Sequence, residues 1–304
     1  MENKRRNDPL HIIMSRKLKI KNFLFQLLDK LPENIAYPVY HFIQEKVGKT
    51  TLEQKVLAGE NTFTDFQRFI NKAGITVEGK SVLEIGSGWL PIMPYFFKYF
   101  GKANEIFTYD LRKHYSLHNI SKLNQNFSEK YSVRISVTEN KFSLPQCIHY
   151  FPNTDLKKSG IPPVDIVFTR FVLEHITPDD LKAIHIQLKK KLKSGAHIVH
   201  FISPSDHRAY VDKTLSLQDF LKYSEEEWKS RQTKFDYHNR WRLPQYLDLF
   251  KSLDYEIIYS EFETPPKGSE AYKKFKTLNL HSDYKNYTEE QLMAGSINLV
   301  LKVN

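Results

Sequence analysis

Cysteine occurs once in this 304-residue chain, at Cys147, so no disulfide framework can hold it and a reducing compartment is expected. Long apolar runs are missing too. Nothing approaches the roughly 18–20 residues that span a bilayer, so no transmembrane helix is expected. The first ten residues are basic and lack the apolar stretch and cleavage site of a secretory leader, which again favours the cytoplasm. Acid is in short supply. Thirty-five Asp and Glu stand against 45 Lys and Arg, a formal net charge of +10. Such an excess favours polyanions: nucleic acid, anionic lipid or phosphorylated substrates. No RRM-like or KH-like motif is present, however, so nucleic acid is not expected as a partner. Internal repeats and low-complexity tracts are also lacking.

What the chain does have, from residue 80 onward, is an alternation of strand-like and helix-like stretches. Apolar runs at 82–85, 105–109, 148–151, 164–169, 196–202, 255–260 and 297–303 read as strands. Thr177, Pro178, Asp179 and Asp180 open a helix with a capping hydroxyl, a preset φ and acids at its positive end, and Gly195 closes that segment. The pattern predicts an α/β fold with a doubly wound, mainly parallel sheet. Residues 1–75 read as an N-terminal helical extension, 76–304 as the main domain, and 203–242 as an insert after the fifth strand. Within the extension, residues 17–31 interleave Lys17, Lys19 and Lys21 with Leu18, Ile20, Phe23, Leu24, Phe25, Leu27 and Leu28. A basic amphipathic helix of this kind either packs on a core or rests peripherally on the inner face of a membrane.

The chemistry starts at the turn after the first strand, Gly86-Ser87-Gly88-Trp89-Leu90-Pro91. A strand, a glycine turn and a helix together bring backbone N–H groups close to an anionic group. Proline occupies the third position of the dinucleotide pattern G-x-G-x-x-G, and Glu84 lies two residues before the first glycine. A carboxylate there suits a cationic aminoacyl group and would repel a pyrophosphate. Asp110 ends the second strand 24 residues after Gly86, where an acid can accept from ribose hydroxyls. A seventh strand after the sixth fits a closing hairpin. These features favour S-adenosylmethionine over a dinucleotide.

The segments Val82-Leu83-Glu84-Ile85-Gly86-Ser87-Gly88, Asp110-Leu111, Asp155-Leu156 and Val172-Leu173-Glu174-His175 resemble the successive motifs of class I S-adenosylmethionine-dependent methyltransferases. The turn and the Asn239-Arg240-Trp241-Arg242 segment are most similar to bacterial methyltransferases of glycan and polysaccharide synthesis. The resemblance implies a Rossmann-like seven-stranded sheet with an antiparallel last strand. It implies cofactor contacts from Glu84, Gly86, Gly88, Trp89, Asp110, Leu111, Asp155, Leu156 and Arg170, with Asp110 at the ribose and Asp155 and Leu156 at the adenine. The family's further turn glycine is Leu90 here.

An acceptor hydroxyl would need a base. The predicted strand ends supply Arg170, Glu174 and His175 after the fourth strand, and Asp206 and His207 after the fifth. His207 beside Asp206 is the first candidate and His175 the second. His200, between Val199 and Phe201, reads as a core histidine. The histidines and Asp206 lack metal-ligand spacing, so no metal is expected. Arg208, Asn239, Arg240 and Arg242, set among aromatics of the insert, suit a sugar or an anionic group. The resulting expectation is a methyltransferase acting on a small polar or glycan acceptor. RNA methylation and a non-catalytic cofactor-binding scaffold are the alternatives.

Overall fold

The computed structural model describes residues 16–47, 50–137 and 141–304, with the backbone alone described at 44–47. The basic start at residues 1–10 therefore lies outside the described residues. Among those described, the strands are β1 (Ser81–Ile85), β2 (Glu105–Tyr109), β3 (Ile148–Phe151), β4 (Ile166–Arg170), β5 (His197–Ile202), β6 (Tyr255–Glu263) and β7 (Gly295–Val303). The helices are α1 (Arg16–Asp29), α2 (Glu33–Val47), α3 (Leu52–Lys72), α4 (Ile92–Tyr99), α5 (Leu117–Tyr131) and α6 (Pro178–Lys191). They continue with α7 (Arg208–Val211), α8 (Glu225–Lys229), α9 (Leu243–Ser252), α10 (Glu270–Lys276) and α11 (Glu289–Met293). None of them is long and apolar enough to cross a membrane.

The chain divides into two units, one of which consists of Val47–Pro204, His238–Thr264 and Tyr287–Asn304. It holds a single sheet in the order β3-β2-β1-β4-β5-β7-β6. The first five strands run parallel, and β7 lies antiparallel between β5 and β6. This is the doubly wound sheet with a reversed last strand that the sequence predicts. Side chains alternate across it. Val82, Ile106, Phe168, Val199 and Phe201 join the core on one face, and Leu83, Val167, Ile198, Ile202 and Leu301 join the core on the other.

The first core is dense in phenylalanine. Phe66 of α3 meets Phe97 at 5.0 Å and Phe168 at 5.3 Å, both edge to face, a geometry that adds about 0.5–1.5 kcal/mol per pair beyond burial. A reciprocal cap between Thr51 and Gln54 starts α3, which then buries Val56, Phe63, Phe66, Phe69 and Ile70. This helix thus groups with the sheet, whereas the sequence-based division at residue 75 sets it apart.

The other unit comprises Ser205–Tyr237, Pro265–Asn286 and the described part of residues 1–46. Phe25 of α1, Tyr40 of α2 and Phe235 pack as a trio, with Tyr40 and Phe235 stacked at 4.9 Å. Leu18 closes a small core with Ala209 and Leu215. Lys234 donates to the carbonyls of Asp29 and Leu31, fastening the α1–α2 turn.

Candidate active site

In the sheet unit the strand order changes direction between β1 and β4, and a crevice at the carboxyl ends of these strands is where such sheets bind ligands. A cavity of about 450 Å³ occupies this place, and all its lining residues come from the sheet unit. Gly86 forms one side of it. Its φ of 82° lies in the left-handed region, its N–H donates to the Tyr109 carbonyl, and a Cβ there would come within 2.4 Å of Val172. Only glycine fits both demands. Gly88, also left-handed at φ 60°, lines the same space.

Asp110 stands at the end of β2 and lines the cavity, as do Leu111, Asp155 and Leu156. Its carboxylate accepts from the Arg112 N–H at 2.9 Å and the Ser87 hydroxyl at 3.3 Å, and it lies 3.3 Å from His114 Nε2. The Asp110 carbonyl accepts from Thr154 N–H, which joins the β2 and β3 ends. Asp155 accepts from the Lys157 N–H, and Lys157 reaches on to Asp180 at 2.7 Å.

Two expected cofactor residues are absent from the lining. Glu84 is buried within β1 and accepts a 2.6 Å bond from Thr108. Burial pushes its carboxyl up to about 8; the Thr108 bond opposes this, nearby Asp110 adds to it and Arg170 counters it. Trp89 lies against the His114 ring at 5.3 Å. Arg170 does line the cavity. Burial holds its pKa below the usual arginine value, against the pull of Glu84, and its guanidinium covers the Phe171 ring at 4.4 Å.

Beyond β4 the chain takes a strained step. Phe171 has φ 56°, a conformation costly for a bulky residue, and its N–H donates to the Phe201 carbonyl at 2.7 Å. The single 3-10 turn Leu173–His175 follows, with His175 exposed and lining the cavity and Glu174 fully buried. Burial raises the Glu174 carboxyl to about 8, opposed by its backbone hydrogen bonds; one oxygen accepts from the Ser203 N–H, while the other has no hydrogen-bond partner among the described residues.

Several of the expected substrate-binding and catalytic residues are engaged within the fold. Asn239 donates to the carbonyls of Leu173 and Ile176 at 2.8 and 2.9 Å, so it braces the turn beside the cavity. Arg242, with no exposed surface, donates to the carbonyls of Arg240, Pro204 and Leu292. Arg240 is buried too, with φ 60°. Asn239 and Arg242 donate to backbone carbonyls where a substrate contact was expected, because buried carbonyls need donors. Asp206 and Arg208, in the other unit, are likewise committed. The Asp206 carboxylate is buried and receives Arg208 Nε at 3.0 Å, the Arg208 guanidinium at 2.6 Å and the Arg208 N–H. Arg208 also reaches Asp219 at 3.0 Å and lies over Trp228 at 4.8 Å. The aspartate therefore pairs with the residue two positions on, and not with neighbouring His207, whose ring stacks on Tyr210 at 5.2 Å.

His114, Phe171, Lys157 and Asp180 line the cavity, and the sequence marks none of them as a site residue. His114 and Phe171 sit on irregular backbone, where no periodicity marks a facing residue.

No protein-family model matches this sequence, and no curated protein does. Solved structures are similar in fold. One is the magnesium protoporphyrin IX methyltransferase of Synechocystis PCC 6803 with bound SAH, at 11% identity and a TM-score of 0.48 over 84% of this chain and 89% of that one. Another is the PH0226 protein of Pyrococcus horikoshii OT3, at 12% identity and a TM-score of 0.49 over 84% and 94%. A third is an S-adenosylmethionine-dependent methyltransferase from Mesorhizobium loti, at 14% identity and a TM-score of 0.43 over 75% and 93%.

Proposed function

We propose that this chain is an S-adenosylmethionine-dependent methyltransferase that modifies a hydroxyl or amine of a small polar acceptor, a sugar or glycan precursor. One observation carries the reading: Asp110 and the left-handed Gly86–Gly88 turn border a single cavity at the point where the sheet order reverses. The residues fit this cofactor. Asp110 offers carboxylate oxygens to ribose hydroxyls, and the glycines expose backbone where a Cβ would crowd Val172. Asp155 and Leu156 offer an acceptor and an apolar surface to the adenine. Glu84 can neutralise an ammonium group nearby. A bound sulfonium supplies an activated methyl group, so the protein's share of the work is chiefly alignment, which can contribute roughly 7–11 kcal/mol.

For a hydroxyl acceptor, His175 is the base this reading favours, because its ring lines the cavity. Asn239, by holding the carbonyls on either side of the Glu174–His175 turn, positions it. The acceptor class rests on the Gly-x-Gly-Trp-x-Pro turn and the Asn-Arg-x-Arg segment, in which the chain is similar to methyltransferases of glycan synthesis.

The test is calorimetric titration of S-adenosylmethionine and its demethylated product into the full chain. Binding to wild type with a loss of about tenfold or more in Asp110→Ala supports the reading, since hydrogen bonds to a charged group contribute about 1.5–3 kcal/mol. No binding to wild type, or equal binding to both, overturns it. Once an acceptor is found, His175→Ala should lower kcat by about 10²–10⁴-fold while leaving cofactor affinity intact.

A further inference from the structure

Helix α1 carries one covered and one exposed apolar stripe, and α2 exposes apolar residues as well. In α1, Leu18, Phe25 and Leu28 are buried within their own unit. Ile20, Phe23, Leu24 and Leu27 are exposed, Phe23 by 65% and Leu27 by 52%. At about 100° per residue these four fall within one arc of roughly 100°, turned away from the buried stripe. In α2, Ala36 is buried, while Ile35 and Val39, one turn apart, are exposed.

Charge indicates what covers this surface. Arg16, Lys17 and Lys19 are exposed, and Lys17 and Lys19 flank Ile20's stripe on opposite sides. Acids are few among the described side chains of the hairpin: Asp29, whose carboxylate already accepts from the Lys234 N–H, and Glu33 at the start of α2. Long basic side chains beside an apolar stripe can extend to phosphate while the stripe enters the acyl boundary. The 14 residues of α1 suit a helix lying along an interface, and no described helix is built to cross one. A second copy is a poorer fit, since two such basic faces would repel each other.

We propose that the α1–α2 hairpin docks this protein on an anionic bilayer, inserting Ile20, Phe23, Leu24 and Leu27 of α1 together with Ile35 and Val39 of α2. The surface lies within one unit, and its test is independent of methyl transfer.

The full chain would be co-sedimented with phosphatidylcholine vesicles, with and without one-third phosphatidylglycerol. Binding is expected to the anionic vesicles, to weaken in high salt, and to fall about tenfold or more in Lys17→Glu/Lys19→Glu and in Phe23→Glu/Leu27→Glu. Ile35→Glu/Val39→Glu should weaken it as well. Because the replaced residues are exposed, all three variants should keep the wild-type unfolding midpoint. The proposal is overturned by absent binding, by equal binding to neutral vesicles, or by complete competition from soluble glycerol phosphate. A dimer in solution that Phe23→Glu/Leu27→Glu disperses, without vesicle binding, would assign the surface to a second copy and also overturn it.

Discussion

Glu84 on β1 and Thr108 on β2 sit directly opposite each other in register, both buried, joined by a 2.6 Å hydrogen bond. With its pKa near 8, the Glu84 carboxyl is mostly protonated at neutral pH. A cationic ammonium bound nearby would favour its ionised form. Cofactor binding at pH 7 should therefore release up to one proton, seen as a dependence of binding enthalpy on the buffer's ionisation enthalpy. Affinity should rise by up to about tenfold per pH unit below 8 and level off above it. Glu84→Gln should abolish both effects. Proton release that persists unchanged in that variant would assign it to another group.

Gly86→Ala combines two costs, a left-handed backbone and a Cβ 2.4 Å from Val172 Cγ2. A loss of roughly 1–3 kcal/mol is expected in urea unfolding. Val172→Ala removes the obstruction but leaves the backbone conformation, so the double variant should recover part of the loss. Full recovery would mean that the left-handed backbone adds nothing, and no recovery that the contact adds nothing.

The pH dependence of stability follows from four buried groups. Burial raises the carboxyls of Glu84 and Glu174 to about 8 in the folded chain. Their contribution is fully present below about 4.5, the unfolded value, and is lost as pH climbs towards 8. Burial lowers His185 to about 3 and His200 well below its ordinary value, and the His185 ring, 5.1 Å away, adds to the lowering at His200. Their contribution is present above about 6.5 and is lost as pH falls towards 3. The ligand-free protein should thus be most stable between about pH 4.5 and 6.5. Unfolding midpoints measured across pH check this, and Glu174→Gln should flatten the alkaline limb.

Asp206→Asn separates a structural carboxylate from a catalytic one. The group is buried against Arg208, and breaking a buried pair typically costs about 3–5 kcal/mol. A large drop in unfolding free energy is expected, with kcat per folded molecule little changed. Retained stability with kcat lost would restore Asp206 to the reaction.

The sheet was legible because buried parallel strands are apolar runs ended by glycine, proline or charge, and the runs at 105–109 and 148–151 coincide with β2 and β3. The placement of Asp110 at a strand end followed from the same signal. The bracing role of Asn239 and Arg242 was not legible because arginine among aromatics has the same composition at a binding surface as in a buried brace. Only the positions of carbonyls such as Pro204 and Leu292, distant in sequence, distinguish the two. Adjacency misled at Asp206 and His207 for a related reason: the carboxylate's geometry favours the N–H and guanidinium two residues on.

Strand β7 lies between β5 and β6 yet follows both in sequence, and among the described residues β6 pairs with no other strand. During synthesis β6 therefore emerges before the strand it pairs with. The edge of β5 also stays open until residues 295–303 arrive. Addition of β7 thus closes two edges at once, and the growing chain carries an exposed, strand-ready margin until residues 295–303 have been made.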